Sequence, residues 1–140
     1  MRMDYRQFAN EYAGVSVDFD NHFGAQCVDL VRFYWQKCFG LNRPQQPNTT
    51  PSGGARDLIN NVIGEVSKVL RVRSANEAPQ PGDVAVWGAT PSNNWGHTAI
   101  FMSIGDGHIE VFEQDGLNQG KGACRKVRPL TSAIKYITAA

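Results

Sequence analysis

Hydrophobic positions recur at helical spacing in the first third of the chain and gather into short strand-like runs in the second half. A first helix is predicted over Asp4–Tyr12, where Asp4 and Gln7 occupy capping-box positions and Gly14 ends the element. Cys27, Val31, Tyr34, Trp35 and Cys38 share one helical face, which predicts a second helix from Ala25 or Gln26 to a C-terminal Gly40. The stretch 44–54, with three prolines, reads as a surface loop. Ala55–Ile63 reads as a third helix closed by Gly64, and Val66–Val72 alternates as a strand. After the turn Ala78-Pro79-Gln80-Pro81-Gly82, strands are predicted over 84–87, 97–104, 108–114, 126–130 and 134–138. Helices followed by strands predict an α+β fold, with N-terminal helices packed on a five- to six-stranded antiparallel sheet in one domain, 1–140.

Composition narrows the function classes. With 140 residues and 41% hydrophobic content, the chain suffices for one domain with a real core. Fourteen basic and thirteen acidic residues leave a net charge of +1, which argues against a nucleic-acid binder driven by a basic surface. Arg71, Arg73, Arg125, Lys126 and Arg128 read as scattered solvated charges, with a local basic patch as the alternative. No apolar run approaches the roughly 20 residues a membrane crossing needs. Met1-Arg2-Met3-Asp4-Tyr5 lacks the apolar core of a signal peptide, so synthesis in a reducing cytoplasm is expected. Three cysteines without metal-type spacing predict neither a disulfide framework nor a zinc site.

The chemistry concentrates in Asp18-Phe19-Asp20-Asn21-His22-Phe23-Gly24-Ala25-Gln26-Cys27-Val28-Asp29. Asp18, Asp20 and Asp29 stand at positions one, three and twelve, offsets whose oxygen ligands suit a hard cation such as calcium. An EF-hand is not expected, because position six is Phe23 and the glycine comes one place later. Cys27 falls in the first turn of the second helix, where free N–H groups and the helix dipole favour negative charge on sulfur. Cys38, three turns further down the same face, reads as a small buried hydrophobe.

A cysteine nucleophile needs a base, and the chain offers His22, His97 and His108. His22 lies inside the acidic loop and is expected to contribute its backbone carbonyl to the cation. His108 follows Gly105-Asp106-Gly107 and is expected at an exposed hairpin end. His97 opens a predicted strand. With a three-residue hairpin loop, Ile104 faces His108 and Ala99 faces Glu113. Glu113 then becomes the diagonal neighbour of His97 on one face, able to orient its imidazole, and Asp115 shares that face. A two-residue loop would slip the register by one and turn Glu113 away.

Asp18-x-Asp20, Gly24-Ala25-Gln26-Cys27-x-Asp29, Pro81-Gly82-Asp83-Val84-Ala85-Val86-Trp87, Gly96-His97-Thr98-Ala99-Ile100 and Glu113-Gln114-Asp115 resemble, in this order, the motifs of the CHAP domain. This is the cysteine, histidine-dependent amidohydrolase/peptidase module, here in the calcium-binding branch found in bacteriophage endolysins. The resemblance runs from about Asp18 to Pro129 and implies a papain-like arrangement, in which a helix bearing the nucleophile meets a sheet bearing the base. It further implies Cys27 as nucleophile, His97 as general base and acid, and Glu113 as orienter. Asp115 occupies a place where relatives carry asparagine, and two roles stand for it: assisting the triad or lining the site. For the cation it implies Ca²⁺ held by Asp18, Asp20 and Asp29, with the His22 carbonyl and the Gly24 carbonyl or a water.

The backbone N–H of Cys27 is the natural donor to a tetrahedral oxyanion, and Gln26 is a second candidate beside a plain helix-start role. Trp95, with Asn93 and Asn94, either lines a groove for a peptide stem or caps the core. Trp35 and Trp87 read as core. The resemblance implies peptidoglycan of the Gram-positive cell wall as substrate, cut at an amide by a monomer that acts on the wall after release. Two other classes stand beside this one: a wall-remodelling papain-like peptidase, which usually carries a secretion signal, and a noncatalytic calcium-dependent wall-binding module.

Overall fold

The helices form where their caps put them. The computed structural model describes residues 3–19, 26–114 and 122–140. Helix α1 (Tyr5–Tyr12) begins with the expected box, in which Gln7 N–H donates to Asp4 Oδ1 and Asp4 N–H to Gln7 Oε1, both at 2.9 Å. Helix α2 (Cys27–Phe39) stops at Gly40, whose left-handed φ of 67° lets Gly40 and Leu41 donate to the carbonyls of Gln36 and Trp35. The third helix does not form. Ala55–Asp57 and Ile59–Asn61 are short 3-10 turns instead. The Asp57 carboxylate there accepts from Ser52 and Asn60, and Asn61 Nδ2 donates to the carbonyls of Asn48, Thr50 and Asp57. Side chains that bond nearby backbone in this way compete with the helical ladder. The predicted strand 66–72 likewise starts as a 3-10 turn, Val66–Lys68, and becomes β1 only over Leu70–Val72.

The other strands are β2 (Val84–Trp87), β3 (His97–Gly105), β4 (His108–Glu113), β5 (Cys124–Pro129) and β6 (Lys135–Ala139). They form one antiparallel six-stranded sheet in the order β1-β6-β2-β3-β4-β5. One face, carrying Val84, Val86, Ile100, Phe112 and Ile137, packs on Phe8, Leu30, Val31, Tyr34 and Trp35 of the two helices. The other face gathers Ala85, Ala99, Phe101, Ile109, Val111 and Tyr136 with Trp87 at its margin. Arg128 on β5 carries its guanidinium carbon 5.6 Å from the Trp87 ring on β2, three strand positions away. Neighbouring strands lie about 4.8 Å apart, so the two long side chains reach toward each other across β3 and β4 to meet.

Two glycines make close approaches that frame the site. A Cβ on Gly122 (φ 69°) would come within 2.4 Å of the Gly14 backbone, where the segment after α1 runs beside the start of β5. A Cβ on Gly96 (φ 74°) would meet the Trp87 carbonyl at 2.4 Å, immediately before His97. Among the described residues no helix is long and apolar enough to cross a membrane.

Candidate active site

The hairpin between β3 and β4 determines which residues meet. Its loop is the two residues Asp106-Gly107, since Gly105 pairs with His108 and Ile104 with Ile109. This corrects the expected three-residue loop and, taken alone, would turn Glu113 away from His97. A bulge between Phe101 and Ser103 takes up one residue, however, so that Phe101 faces Val111 and Ile100 faces Phe112. The expected register is thereby restored at the site end, and Glu113 returns to the face of His97. His108 stays exposed at the turn, its Nδ1 2.9 Å from the Asp106 carbonyl.

Cys27 stands at the first position of α2, with Gln26 before it in extended conformation. Its thiol lies against the His97 ring and acts on it electrostatically. His97 Nε2 lies 3.2 Å from Glu113 Oε1, an ion-pair contact outside the geometry of a hydrogen bond. Burial by itself disfavours the imidazolium, but contact with Cys27 and Glu113 and their charges outweigh it and raise His97 to about 9. Burial also acts against the Glu113 carboxylate, whereas hydrogen bonds from Arg128 and contact with His97 hold it down at about 2. The pair is therefore charged across the neutral range. Cys38 differs: burial, reinforced by Asp4, pushes its thiol up to about 12, and its Sγ lies 3.8 Å from the Asp4 carbonyl. The three cysteines are free thiols.

Three residues of the site went unassigned in the sequence. Arg128 is not a solvated charge: Nε and Nη2 grip Glu113 Oε1 and Oε2 at 2.5 and 2.6 Å. Trp87 is half-buried rather than core, and it pairs with His97 across β2 and β3, its ring centroid 5.3 Å from the imidazole. Buried Gln114 accepts from Val17 N–H at 2.7 Å and donates to the carbonyls of Val17 (2.7 Å) and Gln26 (2.9 Å). One amide thus ties the end of β4 to the N-cap of α2 and to the loop leading into the acidic stretch. Its position beside Glu113 was the signal available. Of the other basic residues, Arg71 and Arg73 pair with Glu77, and Arg73 also with Asp83.

Among the expected cation ligands, Asp20, His22 and Gly24 lie outside the described residues, as does Asp115. Asp18 is exposed directly after Val17. Asp29 is buried in the first turn of α2, where Oδ2 accepts the Gln26 N–H at 2.9 Å. Asp18 and Asp29 thus border the stretch 20–25 along the chain, and their hard carboxylate oxygens are the kind of donor calcium takes. Trp95 is 57% exposed, which favours the groove reading over a core cap. Its loop is held by Asn93, which accepts from Trp95 N–H and donates to the Gly96 carbonyl.

Known proteins resemble this chain in sequence and in fold. Endolysin PlyTW of Staphylococcus phage Twort is 33% identical over 108 residues, covering 74% of this chain and 21% of that protein. The structure of wild type endolysin LysIME-EF1 superposes with a TM-score of 0.70 at 24% identity, covering 94% of this chain and 60% of that one. Ly7917, solved with the hydrolyzing product of MDP, gives a TM-score of 0.69 at 17% identity, again over 94% and 60%. These two likenesses concern the fold, and the chain spans only about a fifth of the length of PlyTW, 21%. The model of the CHAP domain family matches residues 16–115, the segment that carries Cys27, His97 and Glu113, and this chain belongs to that family.

Proposed function

We propose that this domain is a peptidoglycan hydrolase of endolysin type that cleaves an amide bond of the Gram-positive cell wall through Cys27, His97 and Glu113. The observation that carries the reading is one cluster built from three elements: a thiol at a helix start, an imidazole in electrostatic contact with it, and a carboxylate 3.2 Å from the ring Nε2. Nε2 faces Glu113, so Nδ1 is the nitrogen that exchanges a proton with sulfur. The Cys27 sulfur attacks the amide carbon, and the electron pair of the carbonyl moves onto oxygen, met by the Cys27 N–H and the Gln26 side chain. Collapse of this intermediate breaks the C–N bond as His97 protonates the leaving amine. His97 then takes a proton from water, whose oxygen attacks the thioester and releases the acid and the free thiol. Trp95 offers an exposed aromatic surface to the peptide stem.

Asp18, Asp20 and Asp29, with the carbonyls of His22 and Gly24, are the residues that would hold calcium. When bound, the ion supplies positive charge that ties the acidic loop to the first turn of α2, two residues from Cys27. Digestion of purified walls, with mass spectrometry of the new amino and reducing ends, tests the function. New amino ends from the wild type and none from Cys27→Ala are expected. New reducing ends without amino ends would point to glycan cleavage and reject the amide hydrolase.

A further inference from the structure

We propose that Arg128 is a positioning residue of this site, fixing the Glu113 carboxylate in the orientation His97 requires and offsetting its charge. The inference rests on the reading of Cys27, His97 and Glu113 as the reacting cluster. Four adjacent strands each contribute one side chain to a closed ring of contacts: Trp87 of β2, His97 of β3, Glu113 of β4 and Arg128 of β5. Arg128 closes it, gripping both Glu113 oxygens while its guanidinium lies over the Trp87 ring.

A carboxylate that only faced His97 could rotate about its terminal torsion. The two-pronged bond removes that freedom, because a planar guanidinium matches a carboxylate in one orientation. The same bond explains why a glutamate whose side chain is only 2% exposed stays ionised. Among the described residues, the groups that act on Glu113 are His97 and Arg128, and those that act on His97 are Cys27 and Glu113. Cys27, His97, Glu113 and Arg128 thus form a row whose charges alternate in sign when the thiol is ionised. Removing the last cation leaves the carboxylate more negative toward the imidazole. The proton on His97 is then held more tightly, while its ring loses a fixed partner.

The test compares Arg128→Met, which keeps an apolar stem over Trp87, with Arg128→Lys, which keeps the charge but not the fork. NMR of the imidazole nitrogens reads the His97 titration without substrate, and a soluble peptidoglycan fragment gives kcat and KM separately. Arg128→Met is expected to move the His97 midpoint to higher pH and to lower kcat about tenfold or more with KM little changed. Arg128→Lys should bring the midpoint back toward the wild-type value while kcat stays low. A folded Arg128→Met protein with an unmoved midpoint, or with raised KM and unchanged kcat, would overturn the proposal. Should Arg128→Met fail to fold, wild-type kcat in Arg128→Lys overturns it equally. If the wild-type domain cleaves no wall yet the midpoint still shifts, the functional reading fails and the positioning of Glu113 by Arg128 stands.

Discussion

The two ends of α2 carry the same functional group in opposite circumstances. Cys27 opens the helix, half-buried and in electrostatic contact with the imidazole of His97, while Cys38 lies three turns on, its sulfur directed at the Asp4 carbonyl. Burial at the C-terminal end, reinforced by Asp4, pushes the Cys38 thiol up to about 12, so it remains protonated across the neutral range. Nothing in the sequence periodicity separates the two, since both sit on the apolar face. The separation comes from the sheet, which brings His97 and Glu113 to one end of the helix and not to the other. The proposed nucleophile is set apart by what faces it.

The strongest way to break this comparison is to exchange the fates of the two thiols. Cys27→Ala should abolish wall lysis with the far-ultraviolet circular dichroism unchanged, whereas Cys38→Ala should keep full lysis and lose only some stability to the small cavity it leaves. Lysis surviving in the first variant, or vanishing in a folded second one, would reverse the assignment. Next in size is Glu113→Gln, which keeps an acceptor but removes the charge that stabilises imidazolium, and turnover should fall about a hundredfold or more. Asp115→Asn should stay close to wild type, and a dead Asp115→Asn beside an active Glu113→Gln would exchange their roles.

Calcium sharpens the comparison, because its proposed ligands flank Cys27 and leave Cys38 untouched. A cation that binds only the folded loop adds about 3 kcal/mol at a hundredfold excess over its dissociation constant. Chelation should therefore lower Tm and lysis together, and magnesium should restore them poorly, since it demands tight octahedral geometry and holds its waters. Calorimetric titration of metal-stripped protein with calcium checks this, with no heat and undiminished lysis in chelator as the contrary outcome.

The pH dependence is the mildest probe. His97 is raised to about 9, so the stability it contributes is complete below its ordinary value near 6.5 and disappears as pH rises through 9. Glu113 is held down at about 2, so its contribution is present above its ordinary value near 4.5 and disappears as pH falls through 2. Tm and lysis should both decline from pH 8 to 10, before Cys38 begins to ionise. The decline in Tm should flatten in His97→Gln.

How much of this the sequence revealed depended on the range of the interaction. The box of Asp4 and Gln7, the Gly40 stop and the placement of Cys27 are local, and all three were legible. The third helix misled because Asp57 and Asn61 spend their side chains on nearby backbone and Asn60 spends its own on the Asp57 carboxylate. The bulge near Met102 left no mark, since Thr98 to Met102 is buried on both faces and lacks the alternation by which a slip is detected. The expected meeting of His97 and Glu113 therefore rested on a turn that does not exist, and it survived because the bulge compensates for it. Arg128 was the least legible, because it stands opposite Ile109 rather than Glu113 on β4 and meets Trp87 from three strands away.

Alkylation of the folded protein with iodoacetamide at neutral pH, followed by peptide mapping and lysis assay, tests the central claim most directly. The account predicts that Cys27 is modified well ahead of Cys38, that one label on Cys27 abolishes lysis, and that His97→Ala slows its labelling. Full lysis by protein alkylated at Cys27, or Cys38 reacting first, would contradict it.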